Sequence, residues 1–317
     1  MRLVLIAAAA FVFFLLLPSV VLTVLLFQRK SIRDFDEVPE RIRKGAYAPW
    51  ADEILAAFKK IRSLYPAEVS AVSTDGVVLK AEWLDRASDR TVILIHGFCA
   101  TPFNNFAVQA CAFYERGYNV LAVWQRGHGK SGGRYTSLGI LEQNDVLTWV
   151  DWVRKHTAGD NIVLYGLSMG GASVAYASDK LTCDMVRAMI LDCCYPSPYY
   201  QMYAGKGAKA IIWAPVMPLI RFFAKLFVHI DIKQPTSASL EKAMVPALFI
   251  GGLADKRVPY SQFRLNYEAC ASEKELLAVP GAPHALAFAQ AEPKQIEHLF
   301  RFIEKYFTDD QGGKHEH

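Results

Sequence analysis

A serine that could act as a nucleophile lies in the sequence GLSMG at positions 166–170. The apolar, strand-like run 161–165 precedes this motif, and the small, helix-forming residues 172–177 follow it. A serine hydroxyl becomes an effective nucleophile where a neighbouring base can take its proton. A sharp strand–turn–helix elbow, which the two glycines of the motif permit, presents the serine side chain to such a base. The motif therefore predicts Ser168 as the nucleophile of an acyl-transfer reaction.

Two backbone N–H groups are candidates for an oxyanion hole. The strand-like run 91–95 ends in the sequence HGF at 96–98, and Met169 directly follows the nucleophile. In elbow enzymes the loop after the third strand supplies one N–H and the residue after the serine supplies the other. The sequence therefore predicts the N–H groups of Phe98 and Met169 as donors, each stabilising the transition state by about 3–4 kcal/mol. His96 is interpreted as a structural histidine of this loop.

The candidate acid and base each follow a downstream strand. Asp255 lies after the apolar run 246–252, and His284 lies after the run 275–279. The order of nucleophile, acid and base along the chain is the one expected of an elbow enzyme. In this interpretation His284 takes the proton of Ser168, and Asp255 orients the imidazole and stabilises the imidazolium.

Alternatives exist for the acid and for the base. Asp192 ends the strand-like run 189–191 and is an alternative acid. Seven other histidines occur, among them His128 in a Gly-rich loop, but none of them follows a strand downstream of a candidate acid. The Gly-rich stretch 127–133 lacks the spacing of a phosphate-binding loop, and we see no metal-ligand cluster, so we predict neither a cofactor nor a metal.

Eight strand-like runs must position these residues. From the third run onward, helix-length segments separate them, which predicts a mostly parallel sheet covered by helices on both faces. The sequence TDG at 74–76 joins the first two runs and is a hairpin signal, so the sheet should start antiparallel. The predicted strands are Val69–Ser73, Val77–Trp83, Val92–Ile95, Val120–Trp124, Ile162–Tyr165, Met189–Leu191, Leu248–Ile250 and Glu275–Val279. The predicted helices are Asn105–Arg116, Gly139–His156, Met169–Leu181, a stretch around 197–230, Ser261–Ala271 and Pro293–Phe307.

Together these motifs resemble the α/β-hydrolase superfamily, in particular bacterial membrane-anchored hydrolases related to serine aminopeptidases and lysophospholipases. The resemblance covers residues 67–307, which we predict to be the catalytic domain. It implies an α/β-hydrolase fold, serine-esterase chemistry and a helical lid over the serine at about 195–240. It rests on His96–Phe98, Arg126–Ser131, the Ser168 elbow, Leu191–Tyr195, Asp255 and His284.

The N-terminus is a candidate membrane anchor. Residues 3–27 carry no charge and are almost wholly apolar, and about 20 such residues suffice to cross a bilayer. No A-x-A cleavage site follows before Arg29. We therefore predict a single transmembrane helix within residues 1–28, followed by a helical linker at 29–66. A cleaved signal peptide is the alternative.

We predict that the protein is located at the cell membrane. Two observations favour opposite sides of the membrane for the catalytic domain. An excess of Lys and Arg after the span favours a cytoplasmic catalytic domain. Members of the resembling family that are described as surface proteins favour the opposite side. The basic residues are Arg29, Lys30, Arg33, Arg41, Arg43 and Lys44. The polar tail 308–317 is predicted to be disordered.

The lid and the charge narrow the choice of substrate. The formal net charge of +4 and the lack of a long basic run outside the anchor flank give no sign of a nucleic-acid partner. The stretch 211–220 is very apolar, which predicts either an acyl-binding or membrane-touching cap or an ordinary lid packed on the sheet. Either arrangement predicts an apolar pocket. The aromatic residues of the lid are Tyr195, Tyr199, Tyr200, Tyr203, Trp213, Phe222, Phe223 and Phe227.

The sequence thus predicts a membrane-anchored serine hydrolase that cleaves carboxylic esters, with a lipid or lysolipid ester as a candidate substrate. A serine peptidase or amidase is the alternative, because the same triad cleaves amides. A non-catalytic binding protein with an α/β-hydrolase fold is a third hypothesis, against which the complete set of Ser168, Asp255 and His284 argues.

Overall fold

One eight-stranded sheet positions the candidate residues. The computed structural model of the chain describes residues 2, 11–32, 43–45, 47–157, 159–203 and 210–307. The strands are β1 Ala67–Val72, β2 Val78–Leu84, β3 Arg90–Ile95, β4 Asn119–Trp124, β5 Asn161–Leu167, β6 Ala188–Asp192, β7 Ala247–Gly252 and β8 Lys274–Val279. Their order in the sheet is β1-β2-β4-β3-β5-β6-β7-β8. The pairs β1–β2 and β2–β4 are antiparallel, and all the others are parallel.

Helices connect the strands and cover both faces of the sheet. A π-helical turn, Val12–Leu16, leads into the first α-helix, and short 3-10 turns lie at Ala48–Trp50 and Ser178–Lys180. The α-helices are α1 Leu17–Phe27, α2 Ala51–Ser63, α3 Pro102–Glu115, α4 Glu142–His156, α5 Met169–Ala177, α6 Pro198–Met202, α7 Ala210–Trp213, α8 Met217–Phe227, α9 Ser237–Leu240, α10 Tyr260–Ala269, α11 Ala287–Gln290 and α12 Pro293–Glu304.

All eight predicted strands and the antiparallel start of the sheet are confirmed, with small differences in the boundaries. The hairpin turns at Gly76, whose φ of 83° suits a residue without a Cβ. The predicted helix Gly139–His156 begins later, at Glu142, for an electrostatic reason. The Glu142 carboxylate accepts hydrogen bonds from the N–H groups of Ser137 and Gly139, at 2.8 and 2.9 Å, which holds the preceding residues in a loop.

Strands β4, β5, β6 and β7 are buried along their whole length, which is why they appear in the sequence as mostly apolar runs, whereas the edge strand β8 is half-buried. Because successive side chains of a strand point to opposite faces, Ile93 and Ile95 join one apolar cluster and Val92 and Leu94 join another. Helices α1, α4, α5, α8 and α10 contribute buried residues to the first cluster, and α2, α3, α11 and α12 contribute to the second. The site lies at the carboxyl ends of β3, β5, β7 and β8.

Helix α1 packs against α8, a helix of the predicted lid. Its last residue, Phe27, is buried, and so are Ser19 and Thr23. The Thr23 hydroxyl donates to the carbonyl of Ser19 at 2.7 Å, so this polar group is satisfied within the helix. Beyond the helix, Gln28 pairs with Tyr135 as an isolated β-bridge. The end of α1 is therefore part of the core.

In the part of the chain that the structure describes, no helix has the length and apolar character needed to cross a bilayer. Residues 3–10 of the predicted anchor lie outside the described residues, as do 33–42 of the predicted linker, 204–209 of the predicted lid and the tail 308–317.

Candidate active site

Ser168 sits in a strained turn between β5 and α5. Its φ of 55° and ψ of −109° are unusual for a residue with a side chain, and such strain is typical of functional positions. Backbone closeness explains the two glycines of the motif. A Cβ at Gly170 would lie 1.8 Å from the carbonyl oxygen of Ile95, and one at Gly166 would lie 2.4 Å from the carbonyl oxygen of Gly170. The sequence forms this turn because glycine is the residue that fits both positions.

The structure brings the three predicted residues into one hydrogen-bonded chain. The Oγ of Ser168 lies 3.0 Å from Nε2 of His284. On the other side of the ring, Nδ1–H of His284 donates to Oδ2 of Asp255 at 2.7 Å. The second carboxylate oxygen of Asp255 accepts from the N–H groups of Arg257 and Val258, at 2.8 and 2.9 Å. These bonds fix the Asp255 carboxylate, which in turn orients the imidazole with a free Nε2 lone pair toward the serine.

The alternative acid, Asp192, has different partners. The Tyr165 hydroxyl donates to Oδ2 of Asp192 at 3.0 Å, and the whole Asp192 side chain is buried. Burial raises the pKa of this carboxyl to about 7, since the charged form loses its hydration. Its backbone carbonyl accepts a hydrogen bond from the N–H of Ser168 at 2.7 Å. The backbone of Asp192 thus stabilises the turn that carries Ser168, and it is Asp255 that contacts the imidazole of His284.

In the loop after β3, two N–H groups are held by hydrogen bonds to side chains, and the N–H between them is the predicted oxyanion donor. The N–H of Gly97 donates to Oδ1 of Asn105 at 2.8 Å. The N–H of Cys99 donates to Nε2 of His128 at 3.3 Å. Among the described residues, the N–H of Phe98, which lies between them, donates to no protein group.

The second predicted donor is at the N-terminus of α5. Met169 is the first residue of this helix, and its N–H has no acceptor among the described protein groups. The partial positive charge of a helix N-terminus favours an oxyanion there. Phe98 lines the same cavity as Ser168, and Met169 directly follows the serine in the chain, so both stay the predicted donors of an oxyanion hole.

Two buried histidines form hydrogen bonds that hold the loop after β3, here called the oxyanion loop because it carries the predicted donor Phe98. His96 is fully buried, its Nδ1–H donates to the carbonyl of Gly97 at 2.7 Å, and its Nε2 accepts from the N–H of Gln125 at 3.2 Å. Burial lowers the pKa of His96 to about 3, which keeps it neutral. The structural interpretation of His96 is therefore confirmed by its hydrogen bonds.

His128 is a functional residue that the sequence interpretation missed. Its Nδ1–H donates to the carbonyl of Arg126 at 3.0 Å, so Nε2 carries the lone pair that accepts the N–H of Cys99. Burial lowers the pKa of His128, which preserves this neutral tautomer. Cys99 itself has a φ of 56°, and the histidine holds it in that conformation. The signal available in the sequence was a histidine between two glycines, directly after β4, the strand that pairs with β3.

Two cavities meet at His284. The smaller, of about 400 Å³, contains Ser168 and reaches the lid and α1. The larger, of about 780 Å³, contains His284 but not Ser168. The residues common to both are Tyr47, Phe98, Asn105, Arg257, His284 and Ala285. The Tyr47 hydroxyl donates to the carbonyl of His284 at 3.2 Å, so a residue of the predicted linker also forms part of the site.

One group of side chains near the site has the proximity of metal ligands. Ligand atoms of Cys193, Asp255 and His284 lie within 4.8 Å of one another. Burial raises the pKa of the Cys193 thiol well above its usual range, and Nδ1 of His284 holds the proton that it donates to Asp255. A metal ligand must be a thiolate or an unprotonated nitrogen, so this group fits a hydrogen-bonded site better than a metal centre.

Comparison with known proteins finds similar sequences and a similar fold. A family model described as serine aminopeptidase, S33, matches residues 86–239. The uncharacterized protein YqkD of Bacillus subtilis is 26% identical over 223 residues, which cover 69% of this chain and 71% of the relative. The uncharacterized membrane protein YNL320W of Saccharomyces cerevisiae is 26% identical over 220 residues, 68% of this chain and 72% of the relative. The Pyrococcus furiosus esterase Pf2001 superposes with a TM-score of 0.61 at 26% identity, covering 77% of this chain and 95% of the esterase.

The fold, the elbow and these similarities define the class of the protein. The chain belongs to the α/β-hydrolase superfamily. Its similarity to the serine aminopeptidase family and to a solved esterase supports hydrolysis as its activity.

Proposed function

We propose that the chain is a serine hydrolase that cleaves carboxylic esters through an acyl-enzyme on Ser168. The observation that carries this proposal is the chain of two hydrogen bonds, 3.0 Å from Ser168 to His284 and 2.7 Å from His284 to Asp255. The fixed carboxylate and the free Nε2 lone pair give the serine a base in the correct tautomer.

The geometry supports a two-step reaction. Nε2 of His284 takes the proton of Ser168 as Oγ attacks the ester carbonyl carbon, and the carbonyl oxygen becomes an oxyanion. The N–H groups of Phe98 and Met169 donate to that oxyanion. The imidazolium then gives its proton to the alcohol oxygen as the C–O bond breaks, which leaves an acyl group on Ser168. Water activated by the same imidazole releases the acid and restores the serine.

The cavity linings favour an ester over the substrate of an aminopeptidase. Among the described residues that line the two cavities, no side chain is an aspartate or glutamate, whereas Lys256 and Arg257 are both present. A free α-amino group is cationic near neutral pH, and it binds where a carboxylate can pair with it. These linings disfavour such a group. A serine peptidase or amidase acting on uncharged acyl groups remains the second candidate, because the same residues cleave amides.

A panel of chromogenic substrates separates the two candidates. We expect kcat/KM for p-nitrophenyl butyrate to exceed that for leucine p-nitroanilide by about 100-fold or more, since a cationic amine finds no partner in the site. Esters are intrinsically more reactive than anilides, so butyryl p-nitroanilide, which lacks the amine, is the matched control. It should be cleaved at least as fast as the aminoacyl anilide. Faster cleavage of leucine p-nitroanilide than of its uncharged analogue would overturn the ester proposal in favour of an aminopeptidase.

We also infer that the N-terminal helix attaches the chain to the cell membrane. Apolar side chains on the outer face of the N-terminal segment are exposed, and so are several on the lid next to it. The yeast relative is called a membrane protein. The exposed residues are Phe11, Val12, Phe13, Phe14, Leu17, Val21, Val24 and Leu25 on the N-terminal segment, and Ile211, Phe222, Leu226 and Phe227 on the lid.

Fractionation tests the attachment. We expect the full chain to stay in the membrane pellet through washes with high salt and with carbonate, because apolar contacts with lipid do not weaken as salt screens charges. Protease added to intact cells then reports the side, and a protected catalytic domain supports the cytoplasmic side that the basic flank favours. Release of the chain by the salt wash would show that charge alone holds it. A mature form beginning after residue 27 would identify a signal peptide instead.

A further inference from the structure

Helix α1 contributes directly to the cavity that holds the nucleophile. We propose that Leu22 and Leu26 of α1 form a wall of an acyl-chain pocket and determine which acyl groups the enzyme accepts. This inference rests on the proposed esterase function and specifies its substrate as an ester with an extended apolar acyl group.

The lining of the smaller cavity gives the first argument. Leu22 and Leu26 line it together with Met217 and Ile220 of lid helix α8. Residues four apart lie on the same side of a helix, so the two leucines present one continuous apolar strip. Both are half-buried, while their neighbours Val21 and Leu25 are exposed on the outside of the helix. One face of α1 therefore lines the cavity that contains Ser168, and another face lies outside.

The position of α1 is fixed by the hydrogen bonds that follow it. The carbonyl of Phe27 accepts from the N–H of Thr136 at 2.8 Å, and the N–H of Lys30 donates to the carbonyl of Gly127 at 2.7 Å. The carbonyl of Lys30 in turn accepts from the N–H of Gly129 at 3.1 Å. These contacts tie the end of the helix to the loop that carries His128. The wall is thus held in place against the same loop that supports the oxyanion hole.

A contact at the oxyanion loop adds to this coupling. The Lys30 ammonium lies 5.0 Å from the centre of the Phe98 ring, which is within the range of a cation–π interaction. Phe98 lines the smaller cavity as well. The segment after α1 therefore contacts the side chain of the residue whose N–H we assign to the oxyanion hole, and the position of the helix and that of the hole are connected through it.

The direction of proton transfer assigns the two halves of an ester to the two cavities. The alcohol oxygen receives its proton from Nε2 of His284, which lines both cavities, so we assign the leaving group to the larger cavity beyond His284. The acyl carbon becomes bonded to Ser168, which lines only the smaller of the two cavities. The acyl chain therefore extends among Leu22, Leu26 and the lid. Each methylene that it buries there raises binding by about fourfold.

Chain-length profiles of the full-length protein test the wall. The probes are p-nitrophenyl esters with acyl chains from acetate to palmitate, all in the same detergent micelles. We expect Leu22→Trp and Leu26→Trp to lower kcat/KM for the decanoate by about tenfold or more, because a larger ring removes the space of several methylenes. The acetate should change by no more than about twofold, since its methyl group does not reach the wall. Leu25→Trp, on the exposed face of the same helix, is the matched control and should keep the wild-type profile.

Two further results separate the possible failures. Leu22→Ala and Leu26→Ala should move the optimum toward longer chains, and they carry the test if the tryptophan variants do not fold. An equal fall in activity at every chain length in both sets would overturn the wall, since a helix that only stabilises the fold would act in that way. Persistence of esterase activity in Ser168→Ala would instead overturn the proposed function, which the chain-length profiles do not address.

Discussion

Ser168→Ala should reduce ester hydrolysis by about 10⁴-fold or more, because the residues of a triad act as a unit and little remains when the nucleophile is lost. The same variant should lose covalent labelling by a fluorophosphonate probe, which reacts with an activated serine. The fold should survive, because the strained turn depends on Gly166 and Gly170. The backbone N–H of residue 168 can still donate to the carbonyl of Asp192. The measurements are initial rates on p-nitrophenyl butyrate, gel fluorescence of the probe and a thermal melt.

A second serine provides the matched control. Ser178 is also buried and directly follows α5, but its hydroxyl donates to the carbonyl of Ala175 at 2.8 Å rather than to the imidazole of His284. Ser178→Ala should therefore keep labelling and activity within a few-fold of the wild type. Substantial turnover by purified Ser168→Ala, with labelling intact, would show that another residue is the nucleophile.

The parallel sheet was predictable because its physical requirement leaves a simple pattern. A strand covered by helices on both faces must be apolar at every position, and β5, β6 and β7 are buried throughout. The elbow was predictable for a local reason as well, since Gly166 and Gly170 are required by backbone atoms only a few residues or one strand away. Local constraints of this kind can be read from a single chain.

Contacts between distant segments were not predictable in the same way. Nε2 of His128 accepts the N–H of Cys99, and the Tyr47 hydroxyl reaches the carbonyl of His284 across 237 positions. Neither residue has neighbours in the sequence that indicate its partner. The Gly-rich loop around His128 was judged only as lacking the spacing of a phosphate-binding loop, and Tyr47 fell in a predicted linker. Their roles depend on which loops the sheet brings together at the carboxyl ends of its strands.

Apolar composition alone could not predict whether the N-terminal helix packs against lipid or against the catalytic domain. An uncharged apolar run suits lipid and protein interior alike, because lipid tails are as apolar as leucine side chains. The sequence therefore predicted an anchor separate from the catalytic domain. The structure places Phe27 in the core and Leu22 and Leu26 at the cavity of Ser168. We expect Leu22, Leu26 and the segment 27–30 to belong functionally to the active site, and the exposed face with Leu25 to lie outside it.

The last prediction concerns the acid. Asp255→Asn should lower kcat by about 10⁴-fold, because an amide in place of the carboxylate leaves His284 in the wrong tautomer and without its stabilising charge. Asp192→Asn is the matched control, since Asp192 is equally buried but contacts Tyr165 rather than the imidazole. It should lower kcat by less than about tenfold and act mainly on the melting temperature, because it changes a buried hydrogen bond beneath the elbow.

Initial rates at neutral pH and thermal melts of both variants give the comparison. If Asp192→Asn lost the activity and Asp255→Asn kept it, the acid would belong to the end of β6. The hydrogen bond between Asp255 and His284 would then be structural.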